Sequence, residues 1–321
     1  MTAATPLGEL RAGALEDVAG DALEEAVPPR VFGFAVSTLS AQAIADRIAA
    51  TVRKPASAGA KDGVGRAGWP QGEANDGCGV GLVVTPNVDH VRLLRRDPQF
   101  AAAYASAAIV TCDGFPVYHY ARLRGCAAAR RRGVVPSAPG WVRSPARLRG
   151  CAPAGRVTGC DLARALLRHE ALPRHRLFFV ADSDATAAGL RRWAVGRGMG
   201  AQVALHVPPH GFEHDPALCA ALAGRIAAHG TTLLLMGVGA PRSEVFVHSR
   251  RAALPPCWAL CVGQALRIEA GVIRRAPALA SALNAEWLWR LAHEPRRLTW
   301  RYAAGAGGFL AAVAADLRKQ G

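Results

Sequence analysis

The chain is 321 residues long, enough for one large α/β domain or about two smaller ones with a sizeable core. Its formal charge of +15 points to an anionic partner (nucleic acid, an acidic membrane surface or a phosphate-bearing substrate), with a uniform coding bias as the competing source, since only Lys54, Lys61 and Lys319 of the 39 basic residues are lysine. Eight cysteines without a CxxC pair speak against zinc ligation and fit a reducing compartment, and no run reaches the ~18 uncharged apolar residues of a spanning helix, so membrane contact is expected to be peripheral.

Residues 1–30 read as a tail: their early acids and the lack of an apolar stretch do not suit a secretory signal. The Gly/Ala/Pro-rich stretch 54–80 reads as a loop. From there short apolar runs alternate with helical patterns. Strands are expected at 81–86, 107–112, 176–181, 202–207, 231–237 and 257–263, and helices at 88–105, 161–170, 184–198, 215–229 and 242–253. This order predicts an α/β fold, a Rossmann-like, mainly parallel sheet covered by helices, over residues 31–275. A 25-residue tandem duplication, "ARLRGCAAA" at 121–129 and "ARLRGCAPA" at 146–154, predicts a second, Arg-rich loop insertion at 126–150. Residues 276–321 remain as a C-terminal helical appendage.

Ligands of parallel sheets bind beyond the carboxyl ends of the strands, so the residues following each strand carry the functional question. "TPNVDH" places Thr85 and Asn87 after the first strand, where they either cap a helix or face a ligand. "TCDG" places Asp113 after the second, in a turn or as a carboxylate able to take a proton from a hydroxyl. "GRVTGCDL" sets Arg156, Thr158 and Gly159 before a helix starting near Asp161, an arrangement suited to phosphate. "MGVGAPRSE" follows the most apolar strand with Gly237 and Gly239, then opens a helix at Pro241 with Arg242 and Glu244 in its first turn. In "EWLWRLAHEPRRLTWRY", Pro295 is expected to begin a new helix. Before it, Trp287, Leu288, Leu291 and Ala292 share a face that should pack on the protein. After it, Arg297 and Arg301 form a cationic stripe beside Trp300.

Taken in order over roughly residues 30–310, these blocks resemble the WecG/TagA/CpsF family of bacterial glycosyltransferases. The residues carrying the resemblance are Thr85/Asn87, Asp113-Gly114, "RVTGCDL", "GVGAPRSE", "AGVIRRAP" and "EWLWRLAHEPRRLTWRY". The resemblance implies an inverting hexosyltransferase that moves a sugar from a UDP-sugar onto a polyprenyl-diphosphate-linked glycan at the cytoplasmic membrane face. The sugar would be of N-acetylmannosamine type, its uronic acid, or glucose. It implies Asp113 as the general base and Thr85, Asn87, Arg156, Thr158 and Gly159 as the wall of the nucleotide-sugar pocket. Gly237, Gly239, Pro241, Arg242 and Glu244 would lie opposite, and Arg290, Arg296, Arg297 and Arg301 would hold the acceptor diphosphate. No cofactor or metal is implied, because a DxD motif is missing and "DSD" at 182–184 falls at a helix start. The expected partners are the UDP-sugar, the lipid-linked acceptor and an anionic membrane, without nucleic acid; a homo-oligomer is compatible.

Where the chain departs from the family pattern, Ser243 replaces a glutamine and Leu266-Arg267 an F-D pair, reversing a charge near the nucleotide. The alternative reading is a basic, non-catalytic nucleotide- or nucleic-acid-binding α/β protein, although no RNP, helix-turn-helix or zinc signature accompanies the charge. A dinucleotide dehydrogenase would need G-x-G-x-x-G after the first strand, which "VVTPNVDH" lacks. Removing the chain from Glu286 onward is expected to weaken membrane attachment and leave the sheet folded.

Overall fold

The computed structural model describes residues 28–51, 79–131, 153, 155–277, 288–289, 291 and 295–320. Most of the 54–80 loop expectation, residues 132–150 of the second and residues 1–27 of the tail lie outside them. The described chain opens with a hairpin of two short strands, β1 (Arg30–Val31) and β2 (Phe34–Ala35). Its two central residues both have positive φ, Phe32 at 52° and Gly33 at 94°, the twist that lets a two-residue turn join right-twisted strands. Helix α1 (Ala41–Ala50) follows, capped by the Ser40 hydroxyl.

Six strands form one parallel sheet: β3 (Gly81–Val84), β4 (Ile109–Val110), β5 (Leu177–Val180), β6 (Val203–His206), β7 (Leu233–Met236) and β8 (Trp258–Cys261). Their spatial order is β4-β3-β8-β7-β5-β6. β3, β5, β7 and β8 are buried along their whole length, which is why they read as unbroken apolar runs rather than alternating patterns. Each expected strand is present, trimmed at its ends.

Between the strands lie α2 (Val88–Leu94), α3 (Pro98–Ala105), α4 (Phe115–Arg131), α5 (Gly159–Leu167), α6 (Asp184–Gly196), α7 (Pro216–Ala228), α8 (Arg242–Arg250) and α9 (Ala265–Glu269). One face of the sheet, through Leu82, Val84, Phe178, Val180, Leu234 and Met236, packs on α2, α3, α4, α7 and α8. The other, through Val83, Leu177, Phe179, Leu235, Trp258 and Leu260, packs on α1, α5, α6 and α9. Each fully buried aliphatic side chain contributes roughly 1.5–3 kcal/mol. The helices leaving β3 and β7 therefore go to one face and those leaving β5 and β8 to the other. Neighbouring chains part at the carboxyl edge, and a crevice opens there. The register sharpens this: Val84, Cys261, Met236 and Val180 stand in one row, so the residues that follow them share one rim.

Two expectations need correction. Residues 88–105 form two helices, because Asp97 accepts hydrogen bonds from the Gln99 and Phe100 amides and Pro98 cannot donate one, which starts α3 afresh. The loop expected at 126–150 does not begin at 126. Residues through Arg131 continue α4, whose Val117, Tyr120, Ala121 and Cys126 are buried at helical spacing. The first copy of the duplication is thus helix, as its Ala, Arg and Leu content favours.

The expected C-terminal helix is α10 (Pro295–Gln320), which begins at the expected proline and also packs on the domain. Ala312 joins the core. Asp316, buried, accepts the Phe32 amide at 2.9 Å and the Tyr120 hydroxyl at 2.7 Å. Removing this helix would take Ala312 from the core and leave the Phe32 amide and the Tyr120 hydroxyl without this acceptor. Upstream, Leu288 is about half exposed at 49%, against its expected packing, while Trp287 and Ala292 lie outside the described residues. No described helix is long and apolar enough to cross a membrane.

Candidate active site

The chain leaving β3 is tied across the sheet: the Thr85 hydroxyl, buried, donates to the Cys261 carbonyl of β8 at 3.3 Å. Two residues on, Asn87 caps α2, its side-chain oxygen accepting the Asp89 and His90 amides. The capping reading is therefore correct, and it fixes Asn87 at the rim. The Pro86 carbonyl accepts the amides of Asp113 at 3.1 Å and Gly114 at 3.2 Å, so the Asp-Gly turn after β4 closes onto the end of β3. A Cβ on Gly114 would stand 3.1 Å from the Asn87 Cα, which makes glycine the residue that lets the turn approach so closely.

A third segment arrives from the other face. The Val157 amide donates to the Cys112 carbonyl and the Thr111 hydroxyl to the Val157 carbonyl, laying residues 156–158 beside the end of β4. Arg156 Nη1 then reaches the Asp113 carbonyl at 3.4 Å, and the Gly159 amide donates to Asp113 Oδ2 at 3.2 Å. The half-buried Asp113 carboxylate thus accepts the first amide of α5, where a helix N-terminus favours negative charge. Gly159 is packed in turn, since a Cβ there would lie 3.1 Å from the Val262 carbonyl and 3.4 Å from Thr85 Oγ1.

The start of α5 is a reciprocal capping box. Thr158 Oγ1 accepts the Asp161 amide and donates to Asp161 Oδ2, while Oδ2 also accepts the Thr158 amide. Asp161, its third residue rather than its first, pairs with Arg275. Burial alone would raise the Asp161 carboxyl, but the hydrogen bonds and charge of Arg275 and the Thr158 bonds outweigh it and hold the group below its ordinary value. This tie joins two blocks far apart in sequence.

Across β8, the turn after β7 forms the opposite wall. Gly237 leaves no room for a side chain, with Leu266 Cδ1 2.8 Å from where a Cβ would stand. Gly239 has φ of 80°, and the Ala240–Pro241 peptide is cis. Arg242 turns back to donate to the Val238 carbonyl, and the Ser243 hydroxyl donates to the Gly239 carbonyl at 3.2 Å. Glu244 is buried, and its Oε2 has no hydrogen-bond partner among the described residues; burial pushes its carboxyl up to about 7. Val262 and Gly263 bridge the walls: Val262 touches Gly159, and a Cβ on Gly263 would lie 3.8 Å from the Gly239 Cα.

The structure therefore brings Thr85, Asn87, Asp113, Arg156, Thr158 and Gly159 together, faces them across β8 with the turn from Gly237 to Arg242, and turns Glu244 inward. Arg290 lies outside the described residues; Arg296, Arg297 and Arg301 belong to α10, but their side chains are not described. The sequence reading missed the structural parts of Val262, Gly263 and Arg275, although the "AGVIRRAP" block contained the last. The charge-reversed Arg267 lies 3.5 Å from Asp182, whose other oxygen accepts the Thr186 hydroxyl at 2.7 Å. "DSD" is thus occupied in starting α6, with Ser183 as its cap. Among the described residues no group of three or more His, Cys, Asp or Glu could hold a metal ion. A family model described as "Glycosyl transferase WecG/TagA/CpsF family" matches residues 71–142 and 134–321, which includes every strand of the parallel sheet.

Proposed function

The chain belongs to the WecG/TagA/CpsF glycosyltransferase family, and from that premise we propose that it transfers a sugar, with inversion, from a UDP-sugar to a polyprenyl-diphosphate-linked glycan. The family places it among the glycosyltransferases of polysaccharide synthesis. Asp113 is the base of the proposed reaction. One carboxylate oxygen takes the acceptor hydroxyl proton as that oxygen bonds to the anomeric carbon; the bond from this carbon to UDP breaks on the opposite face, and UDP leaves with the electron pair. The single observation that carries this reading is the hydrogen bond from Gly159 to Asp113 Oδ2, which orients the carboxylate at the rim of the crevice.

In this reading Thr85, Asn87, Arg156, Thr158 and Gly159 shape the donor pocket, with Gly237, Gly239, Pro241 and Arg242 opposite and Glu244 supporting that turn from behind. Leaving-group charge falls to arginine and backbone dipoles, without a metal. The internal engagement of Asp182 with Arg267 and Thr186 supports that assignment. The arginines of α10 and of the segment before it would meet the lipid diphosphate at the inner membrane surface, with the protein held there peripherally. The donor is of N-acetylmannosamine type, its uronic acid, or glucose.

The test uses Asp113→Asn with a panel of UDP-sugars and a lipid-diphosphate acceptor. The variant should keep the thermal stabilisation that UDP confers and lose transfer by about 10²–10⁴-fold. Transfer at the wild-type rate would remove Asp113 from the role of base. Stabilisation by NAD or oligonucleotides, with none from UDP, would overturn the whole reading.

A further inference from the structure

After β8 the chain reverses before it meets the site again. Helix α9 is five residues long and ends in a glycine cap. The Gly271 amide donates to the Ile268 carbonyl at 3.0 Å and the Val272 amide to the Arg267 carbonyl at 2.9 Å. Gly271 has φ of 73°, the left-handed conformation that this pair of bonds requires. The reversal returns the chain toward the start of α5, and two ion pairs join it there. Arg275 pairs with Asp161, and Arg164 Nε lies 3.4 Å from Glu269 Oε1. Asp161 and Arg164 are three residues apart, on one face of α5. The pairs run in opposite senses, so exchanging partners would set acid against acid.

Two carboxylates meet at the start of α5. Asp113 Oδ2 accepts the Gly159 amide at 3.2 Å, and Asp161 Oδ2 accepts the Thr158 amide at 3.3 Å and its hydroxyl at 2.7 Å. A helix N-terminus offers only about half an elementary positive charge, too little for two ionised acids. Against burial, which would raise its carboxyl, Arg275 and Thr158 hold Asp161 below its ordinary value and so ionised. The guanidinium thus supplies the charge that the helix start lacks. It also engages Oδ1 and leaves Oδ2 to Thr158, which fixes the rotation of the Asp161 carboxylate. The next residue along the chain is Gly159, whose amide holds Asp113.

Resting on the reading of Asp113 as the base, we propose that Arg275 is a positioning residue for the transfer reaction: it clamps the capping box that aims the Gly159 amide at Asp113, and it cancels the second carboxylate charge at that helix start. Arg275 acts through Asp161 and touches neither reactant. Without the guanidinium, an uncompensated acid stands beside the base and the box is freed to turn. The bond from the Val157 amide to the Cys112 carbonyl and the packing of Gly159 on Val262 still hold the pocket wall. Rate should therefore suffer more than donor binding.

The test measures steady-state transfer by the full-length chain, with a UDP-sugar and a lipid-diphosphate acceptor. Arg275→Gln should lower kcat about tenfold, with the KM for the UDP-sugar within about threefold of the wild type. Adding Asp161→Asn removes the unpaired charge and keeps an acceptor for the Thr158 amide, so the double variant should recover to within about threefold of the wild-type kcat. Arg275→Lys, which keeps the charge, should do the same. If Arg275→Gln folds poorly, these last two variants carry the test. An unchanged kcat in Arg275→Gln, a KM raised with kcat unchanged, or a double or lysine variant about tenfold slower than wild type would overturn the inference. Asp113→Asn separates this inference from the reading beneath it. Transfer at the wild-type rate by that variant removes the base, whereas an inactive Asp113→Asn beside a fully active Arg275→Gln overturns the role of Arg275 alone.

Discussion

Glu244 shows how a single side chain sets a pH response. Its carboxyl, ordinarily near 4.5, titrates near 7 in the fold because burial penalises the charged form. Between those values the native protein holds a proton that the unfolded chain has released. Stability therefore falls as pH rises through that window and levels off above the folded value. In the ionised form the charge would also press on the buried Tyr104 hydroxyl and Cys261 thiol, which burial already pushes upward. Glu244→Gln removes the titrating group. Denaturant unfolding of both proteins at pH 4 and pH 8 should show the variant gaining on the wild type by up to about 3 kcal/mol. An equal difference at the two pH values would mean that Glu244 is solvated in solution. The family block made this residue visible in the sequence, but not its inward turn, because orientation depends on how α8 packs beneath the β7 terminus.

Elements were legible in the sequence to the degree that they are self-sufficient. Four of the strands are buried on both faces and announce themselves as apolar runs; the helices α6, α7 and α8 carry their own caps or turns. The β1–β2 hairpin was not legible, since two-residue strands have no period and Phe32 adopts positive φ only with outside support. Nor was α4, whose repeated sequence suggested an insertion. At the site, topology singled out the polar residues after the strands, and the resemblance gave them their expected roles. The Asp161–Arg275 tie was not, because nothing local links residues 114 positions apart. A similar long-range fit joins α6 to α9, where a Cβ on Gly189 would overlap the Ala270 carbonyl oxygen and stand 2.8 Å from the Ala270 Cβ. Both contact atoms are backbone or backbone-proximal, so α9 cannot simply yield. Gly189→Ala should cost about 2–3 kcal/mol, measurable as a lowered urea midpoint. It should also weaken UDP binding, since α9 follows the Val262–Gly263 bridge between the two walls. A variant of unchanged stability would show that the two helices separate freely.

At the scale of the molecule, Asp316 fastens the C-terminal helix to the hairpin and to α4 at once. Asp316→Ala leaves the Phe32 amide and the Tyr120 hydroxyl without their acceptor, at a cost of about 2–3 kcal/mol. Tyr120→Phe should cost less, about 1 kcal/mol, because the phenylalanine leaves the Phe32 bond in place. Calorimetric midpoints of the two variants test the ordering, and equal losses would place the clasp's strength in Tyr120 alone. The same clasp joins residues 284 positions apart, and synthesis is directional. Phe32 is among the earliest described residues to leave the ribosome and Asp316 among the latest. For nearly the whole of translation the left-handed turn at Phe32 lacks the carboxylate that supports it, so the hairpin can settle only after α10 has emerged. The hairpin, made early, is among the last described elements to find its place.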